Sequence, residues 1–284
     1  MNLILGSAQL GTSYGVLQNK FDLTQLKELE KLIYKEKIKF IDTSSNYKNT
    51  EKIIGNSKLN ELKIITKIKL PKKIDLKKIN DWTKKKILSS LKKLKKKKIY
   101  ALLIHDHKDL LGKKGELFLK TLINIKNSGL ITKLGVSLYD VKEIKIICKF
   151  FIPDLIQVPF NILDTRILDK NLLNFIKIRK IQIHVRSIFL QGLLLNDHSN
   201  INIIKKLKTK INRFKKWCNL NQVSYLSACI NFVKNYKFID FCVIGFNNYN
   251  DLRESINTFK GKKILIPNRF STNQKKLIDP RYWS

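Results

Sequence analysis

The chain has 284 residues, 43% of them hydrophobic, which excludes a disordered or collagen-like polymer. Its formal charge of +35 rests on 57 basic residues, but only seven of these are Arg; with Ile and Asn abundant and Ala scarce, the excess is a Lys-rich skew spread over the surface. Sequence-reading and phosphate-clamping proteins favour the forked guanidinium, so polyanion binding is the weaker alternative and no specific nucleic-acid partner is expected.

In chain order, short β-branched runs alternate with longer stretches of helical period. Strand candidates fall at Leu3 to Leu5, Phe40 to Asp42, Lys63 to Lys67, Tyr100 to His105, Lys133 to Ser137, Leu155 to Pro159, Gln182 to Arg186 and Phe241 to Ile244. Amphipathic stretches separate them at Leu23 to Lys37, Ile79 to Lys97, Gly115 to Ser128, Val141 to Phe150 and Asp169 to Lys180, and a longer helical region, Ile201 to Tyr236, precedes the eighth strand. Eight strand-helix units predict an α/β fold of the (β/α)8 TIM-barrel type, with a doubly wound sheet as the alternative. No linker rich in Pro, Gly or Ser divides residues 1–284, which are expected to form one domain.

No apolar run approaches the roughly 18 to 20 residues of a membrane span, and Met1 to Gly6 lacks the basic start and apolar core of a signal peptide. Cys148, Cys218, Cys229 and Cys242 form no CxxC pair. A soluble, cytoplasmic protein in a reducing compartment is expected, with no membrane partner and no structural metal.

Chemistry in such a barrel gathers at the carboxyl ends of the strands. Asp42, Lys67 and His105 end strands two, three and four, and Tyr47 follows Asp42 closely. These four groups suit proton transfer to a carbonyl oxygen. A Tyr hydroxyl is a weak acid, a neighbouring ammonium favours its phenolate, a carboxylate holds that ammonium in place, and an imidazole orients the carbonyl. A rival pattern is His105-Asp106-His107, which with His184 and Asp42 offers metal-ligand types, although Lys67 would oppose a metal in the same cluster. Gly6-x-x-x-x-Gly11-Thr12-Ser13 has Thr where a phosphate-binding loop needs Lys, and no GxGxxG follows a strand.

With these residues in view, nearly the whole chain resembles the aldo-keto reductases. Leu5 to Gly15 (LGSAQLGTSYG) resembles the family's opening glycine-rich turn. Phe40 to Tyr47, with Glu51 and Gly55, is similar to the signature IDTAxxYGxxExxxG, with Lys48 where that signature has Gly. Ile65-Thr66-Lys67 and Leu102 to His105 resemble the strands bearing the family lysine and histidine. Gly129 to Ser137 is similar to GKIRxxGVS, Gln157 with Asn161 to QxxYN (Phe160 replacing Tyr), and Arg186 to Leu194 to YSPLAQGLL.

The resemblance implies NAD(P)H-dependent reduction of a small aldehyde or ketone, a sugar-derived carbonyl among the candidates, by a monomer or weak homo-oligomer. Tyr47 would be the general acid, Lys67 and Asp42 would tune it, and His105 would position the carbonyl. Ser137 and Gln157 would hold the nicotinamide carboxamide, with Gly6, Ser7 and Ala8 along the same end and Ser187, Gly245, Arg253 and Glu254 completing the cofactor set. Arg186 stands where the family usually stacks an aromatic on the nicotinamide; a guanidinium also stacks, but it adds positive charge. Asp251 holds the place that often carries an Arg for the 2′-phosphate, with Arg253 close by, so NADPH and NADH carry equal weight. A catalytically silent cofactor-binding barrel and a barrel metallohydrolase are the remaining alternatives.

Overall fold

The computed structural model describes residues 1–13, 15, 20–196 and 202–283, with the backbone only for 202–206. Tyr14 of the opening turn, Ile201 of the long helical region and Ser284 lie outside the described residues. Eight parallel strands close into one barrel in chain order: β1 (Asn2–Gly6), β2 (Phe40–Asp42), β3 (Lys63–Ile68), β4 (Ile99–Ile104), β5 (Ile131–Ser137), β6 (Leu155–Pro159), β7 (Gln182–Arg186) and β8 (Phe241–Gly245). β8 closes on β1 from Asn2↔Phe241 to Gly6↔Gly245. The crossovers carry α1 (Ala8–Gly11), α2 (Leu26–Lys35), α3 (Thr50–Gly55), α4 (Ile79–Leu94), α5 (Gly112–Asn127), α6 (Ile144–Ile147), α7 (Lys170–Ile178), α8 (Asn202–Leu220) and α9 (Tyr225–Lys234). After β8 come α10 (Tyr249–Lys260) and α11 (Lys275–Ile278).

Two expected helices differ in form. The region read as Ile201 to Tyr236 is two helices: Gln222 takes a left-handed φ of 53°, and the Ser224 hydroxyl then accepts from Ser227 N to cap α9. Val141 to Phe150 contains only a 3-10 turn and the single turn of α6.

Strands covered on both faces should read as unbroken apolar runs, and β4 (IYALLI) does. The side-chain period of two then divides each strand between two cores. Ile4, Phe40, Ile65, Ala101, Leu103, Leu155, Phe241 and Val243 form a separate cluster that plugs the barrel. Their strand neighbours, such as Ile41, Ile64, Leu102 and Ile156, belong to the larger core shared with the helices. At the neck, a Cβ on Gly135 would lie 2.4 Å from the Leu155 carbonyl oxygen, so only Gly lets β5 approach β6 there.

His184 belongs to the plug. Its imidazole is fully buried, both ring nitrogens lack a partner among the described residues, and the ring centroid lies 4.5 Å from that of Phe241. Burial, with help from Lys133 and Lys67, pushes its pKa down from 6.5 to about 3. Below pH 6.5 the unfolded chain therefore takes up a proton that the folded chain refuses, and stability falls as pH drops toward 3. Between pH 7 and 5 the wild type should lose about 2 kcal/mol more than His184→Leu, at roughly 1.4 kcal/mol per pH unit below 6.5. Urea unfolding of both proteins at the two pH values measures this; equal losses would mean that the ring is not held neutral.

Candidate active site

One step beyond the apolar plug, the same inward parity delivers a different set of side chains. Asp42 follows Phe40, Lys67 follows Ile65, His105 follows Leu103 and Gln157 follows Leu155, each two residues on. These four, with Gly6, Ser137, Arg186 and Gly245 from the other strands, all line one cavity of about 650 Å³, which Tyr47 also lines.

Asp42 is the hub. One carboxylate oxygen takes Lys67 Nζ in a buried ion pair, and the other accepts from Gln157 Nε2 at 2.8 Å. Lys67 Nζ also donates to Thr43 O at 3.1 Å, and the Ser7 hydroxyl donates to Asp42 O at 2.8 Å. Because a carboxylate only accepts, it turns the Gln157 amide so that NH2 faces Asp42, and Gln157 Oε1 is left buried without a partner among the described residues. The ammonium lies 5.8 Å from the centre of the Tyr47 ring.

The electrostatics differ from the sequence expectation in one respect. The Tyr47 phenol is pushed above its ordinary value, first by burial and then by the Asp42 carboxylate, while Arg186 pulls it down. Burial and the Asp42 carboxylate together outweigh Arg186, so the hydroxyl keeps its proton at neutral pH. Burial, followed by the charges of Lys67 and Arg186, lowers His105 to about 3, so its ring is neutral there.

Parts of the signature prove architectural. Glu51 is buried and accepts from the Thr66 hydroxyl at 2.9 Å, tying α3 to β3. A Cβ on Gly55 would lie 1.9 Å from Lys93 O, so this glycine lets α3 meet the end of α4. Lys48 adopts a φ of 35°, in the left-handed region that favours the Gly of the family signature, at a cost on the order of 1 kcal/mol. Asn161 Nδ2 donates to Ser187 O at 3.0 Å while its Oδ1 accepts from Leu163 N and Asp164 N, bracing the loop after β7, where Ser187 has a φ of 59°.

At the far end the cavity is lined by Asn247, Asn248, Asp251, Glu254 and Ser255 from the start of α10. Asp251 accepts from both Asn247 N and Nδ2 at 3.2 Å. Arg253 is not part of this wall; it lines a neighbouring shallow groove, with its guanidinium 5.6 Å from the Tyr249 ring centre. Ser7, Ala8 and Ser187 line the main cavity. His107 points elsewhere, pairing with Glu143 at 3.0 Å, and the described residues contain no group of three or more His, Cys, Asp or Glu able to hold a metal. Tyr139 lines the cavity without having been singled out in the sequence; two residues after Ser137, it continues the inward parity of β5.

A closed barrel of eight parallel strands, with Tyr, Lys, Asp and His gathered at the carboxyl end around an elongated cavity, defines a barrel oxidoreductase. The aldo/keto reductase family model matches residues 2–264, and the chain belongs to that family. It is therefore an NAD(P)-dependent oxidoreductase of the kind that acts on small carbonyl compounds. Among solved structures, it is similar to an aldo-keto reductase from Bacillus halodurans in its holo form, with 15% identity, a TM-score of 0.70, and 93% of this chain and 88% of that one covered. A glycerol dehydrogenase from Gluconobacter oxydans is also similar, with 18% identity, a TM-score of 0.69, and 99% and 91% covered. No curated protein sequence matches significantly. Among the described residues no helix is long and apolar enough to cross a membrane.

Proposed function

We propose that residues 1–284 act as one catalytic unit that reduces the carbonyl of a small molecule to an alcohol, with Tyr47 as proton donor and NADH as reductant. The observation that carries this reading is the Lys67–Asp42–Gln157 chain beside Tyr47. It ties the group that stabilises a phenolate to the group that would orient a nicotinamide carboxamide.

The residues present fit a nicotinamide dinucleotide. Gln157 Oε1 is an orphaned buried acceptor matched to a carboxamide N–H, and Ser137 lies beside it on β5, paired in register with Gln157. Gly6 and Gly245 leave the cavity wall low between that point and α10. When bound, the reduced nicotinamide supplies the hydride. His105, neutral, hydrogen-bonds the carbonyl oxygen without competing for its proton. As charge develops on that oxygen, Tyr47 gives up its proton to it. The resulting phenolate is stabilised by Lys67 at its ring and by Arg186.

Asp251 and Glu254 at the far end, with no cation among the described lining residues there, disfavour a 2′-phosphate. NADH should bind at least about tenfold more tightly than NADPH, the ratio that roughly 1.4 kcal/mol of repulsion produces. Quenching of Trp fluorescence by the two cofactors, followed by oxidation of the tighter one with a panel of aldehydes and keto sugars, tests both parts. Tighter NADPH binding would overturn the preference. Binding without turnover across the panel would move the protein to a regulatory role.

A further inference from the structure

Among the described residues, the charged side chains that line the reacting end of the cavity are Asp42, Lys67 and Arg186, and the first two pair with each other. Behind the wall, Asp164 holds Arg166 through contacts of 2.8 and 2.6 Å, Asp140 pairs with Lys275, and Asp279 holds Arg281 at 2.6 Å. All three carboxylates are buried. Asp140, which Arg166 also approaches at 3.8 Å, links the loops after β5 and β6 to the C-terminal segment through Lys275, while the other two pairs lie within their own segments.

Arg186 has no such partner: no carboxylate of the described residues pairs with its guanidinium. Its polar contacts are neutral, Nη1 to the Ser187 hydroxyl and Nη2 to Leu138 O, both at 3.2 Å. Its Cζ lies 4.6 Å from the Tyr139 ring centre, and Arg281, anchored by Asp279, stacks on the same ring at 4.1 Å. The C-terminal segment thus braces the cavity wall through Tyr139, and none of its described residues lines the cavity. Two hydrogen bonds and a stacked ring fix the guanidinium, which has five N–H donors; the remaining donors meet no partner among the described residues and border the cavity that Arg186 lines. Its charge is felt by both Tyr47 and His105, the groups between which the carbonyl would sit.

A fixed guanidinium with an unmatched charge recognises a planar anion through paired hydrogen bonds. One unmatched cation neutralises a carboxylate fully, but only part of a phosphate ester's charge of about −1.5 to −2. We infer that the substrate is a carbonyl compound bearing a carboxylate, a small oxo acid, and that Arg186 binds that carboxylate. The inference rests on the carbonyl reduction proposed above.

The test compares matched pairs on the NADH-loaded protein: glyoxylate with its methyl ester, succinic semialdehyde with its methyl ester, and glyceraldehyde 3-phosphate with glyceraldehyde. For the carboxylate pairs, kcat/KM should favour the acid by about 10- to 100-fold, the range expected for hydrogen bonds to a charged group. Arg186→Gln should bring that ratio close to one: kcat falls for acid and ester alike, because the phenolate loses Arg186, whereas KM rises for the acid alone, and Arg186→Lys should restore part of the ratio. Calorimetry with oxamate, a carboxylate that cannot be reduced, should show binding to the wild type that Arg186→Gln loses. Equal turnover of acid and ester, a ratio unchanged in Arg186→Gln, or a larger preference in the phosphate pair would overturn the carboxylate assignment and leave carbonyl reduction standing. Oxamate binding that depends on Arg186, without turnover of any carbonyl, would sink the reduction and keep the anion site. Neither binding nor turnover would sink both.

Discussion

Tyr47→Phe is expected to lower kcat by about 100- to 10,000-fold while leaving the affinity for NADH unchanged, the span over which a positioned acid contributes to a proton-transfer step. The substitution removes only the hydroxyl. The ring keeps its place beside Lys67, 5.8 Å from the ammonium, and the Asp42 bonds to Lys67 and Gln157 do not involve it. The wild-type profile should also report the site's electrostatics. The phenol is held above its ordinary value by burial and by Asp42, so loss of the acid lies on the far alkaline side. His105 is pushed down to about 3, so no limb should appear near pH 6.5, where a free imidazole titrates. Steady-state rates across pH, with fluorescence titration of NADH, measure both. A Phe variant running at the wild-type rate would remove Tyr47 from the chemistry, and a limb near pH 6.5 would mean that His105 changes charge during turnover.

The barrel and most of its site were legible because both follow from a period of two. Once Phe40, Ile65, Leu103 and Leu155 are placed on the inward face, Asp42, Lys67, His105 and Gln157 must share it two residues later. Other features depend on relations that no local pattern carries. The break between α8 and α9 has no Gly or Pro to announce it, because Gln222 takes the left-handed conformation itself. The direction of the Tyr47 shift depends first on the burial of its phenol and then on the nearby Asp42 carboxylate, and the packing that buries the ring is not written in the local sequence. Arg253 was readable in principle: on a helix Asp251 shares a face with Glu254 and Ser255, three and four residues on, whereas a residue two positions away turns to the other side. The structure has that arrangement, with Arg253 in the neighbouring groove.

Removing Lys67 should damage fold and chemistry together, and the two losses can be separated. Lys67 and Asp42 are 3% and 5% exposed, so Lys67→Met leaves a buried carboxylate whose remaining side-chain partner is the neutral amide of Gln157. Breaking a buried pair in this way costs about 3 to 5 kcal/mol, mostly through the charge left behind. Turnover should fall by a further mechanism, because the phenolate formed as Tyr47 gives up its proton loses its nearby ammonium. Lys67→Met combined with Asp42→Asn removes the stranded charge and keeps an acceptor for Gln157, so urea midpoints should return most of the way to wild type. Turnover should stay low, because no cation has been restored. A single variant as stable as the wild type would show that the pair is not desolvated in solution. A double variant that recovered turnover along with stability would reduce Lys67 to a structural counter-ion and leave the stabilisation of the phenolate to Arg186 alone.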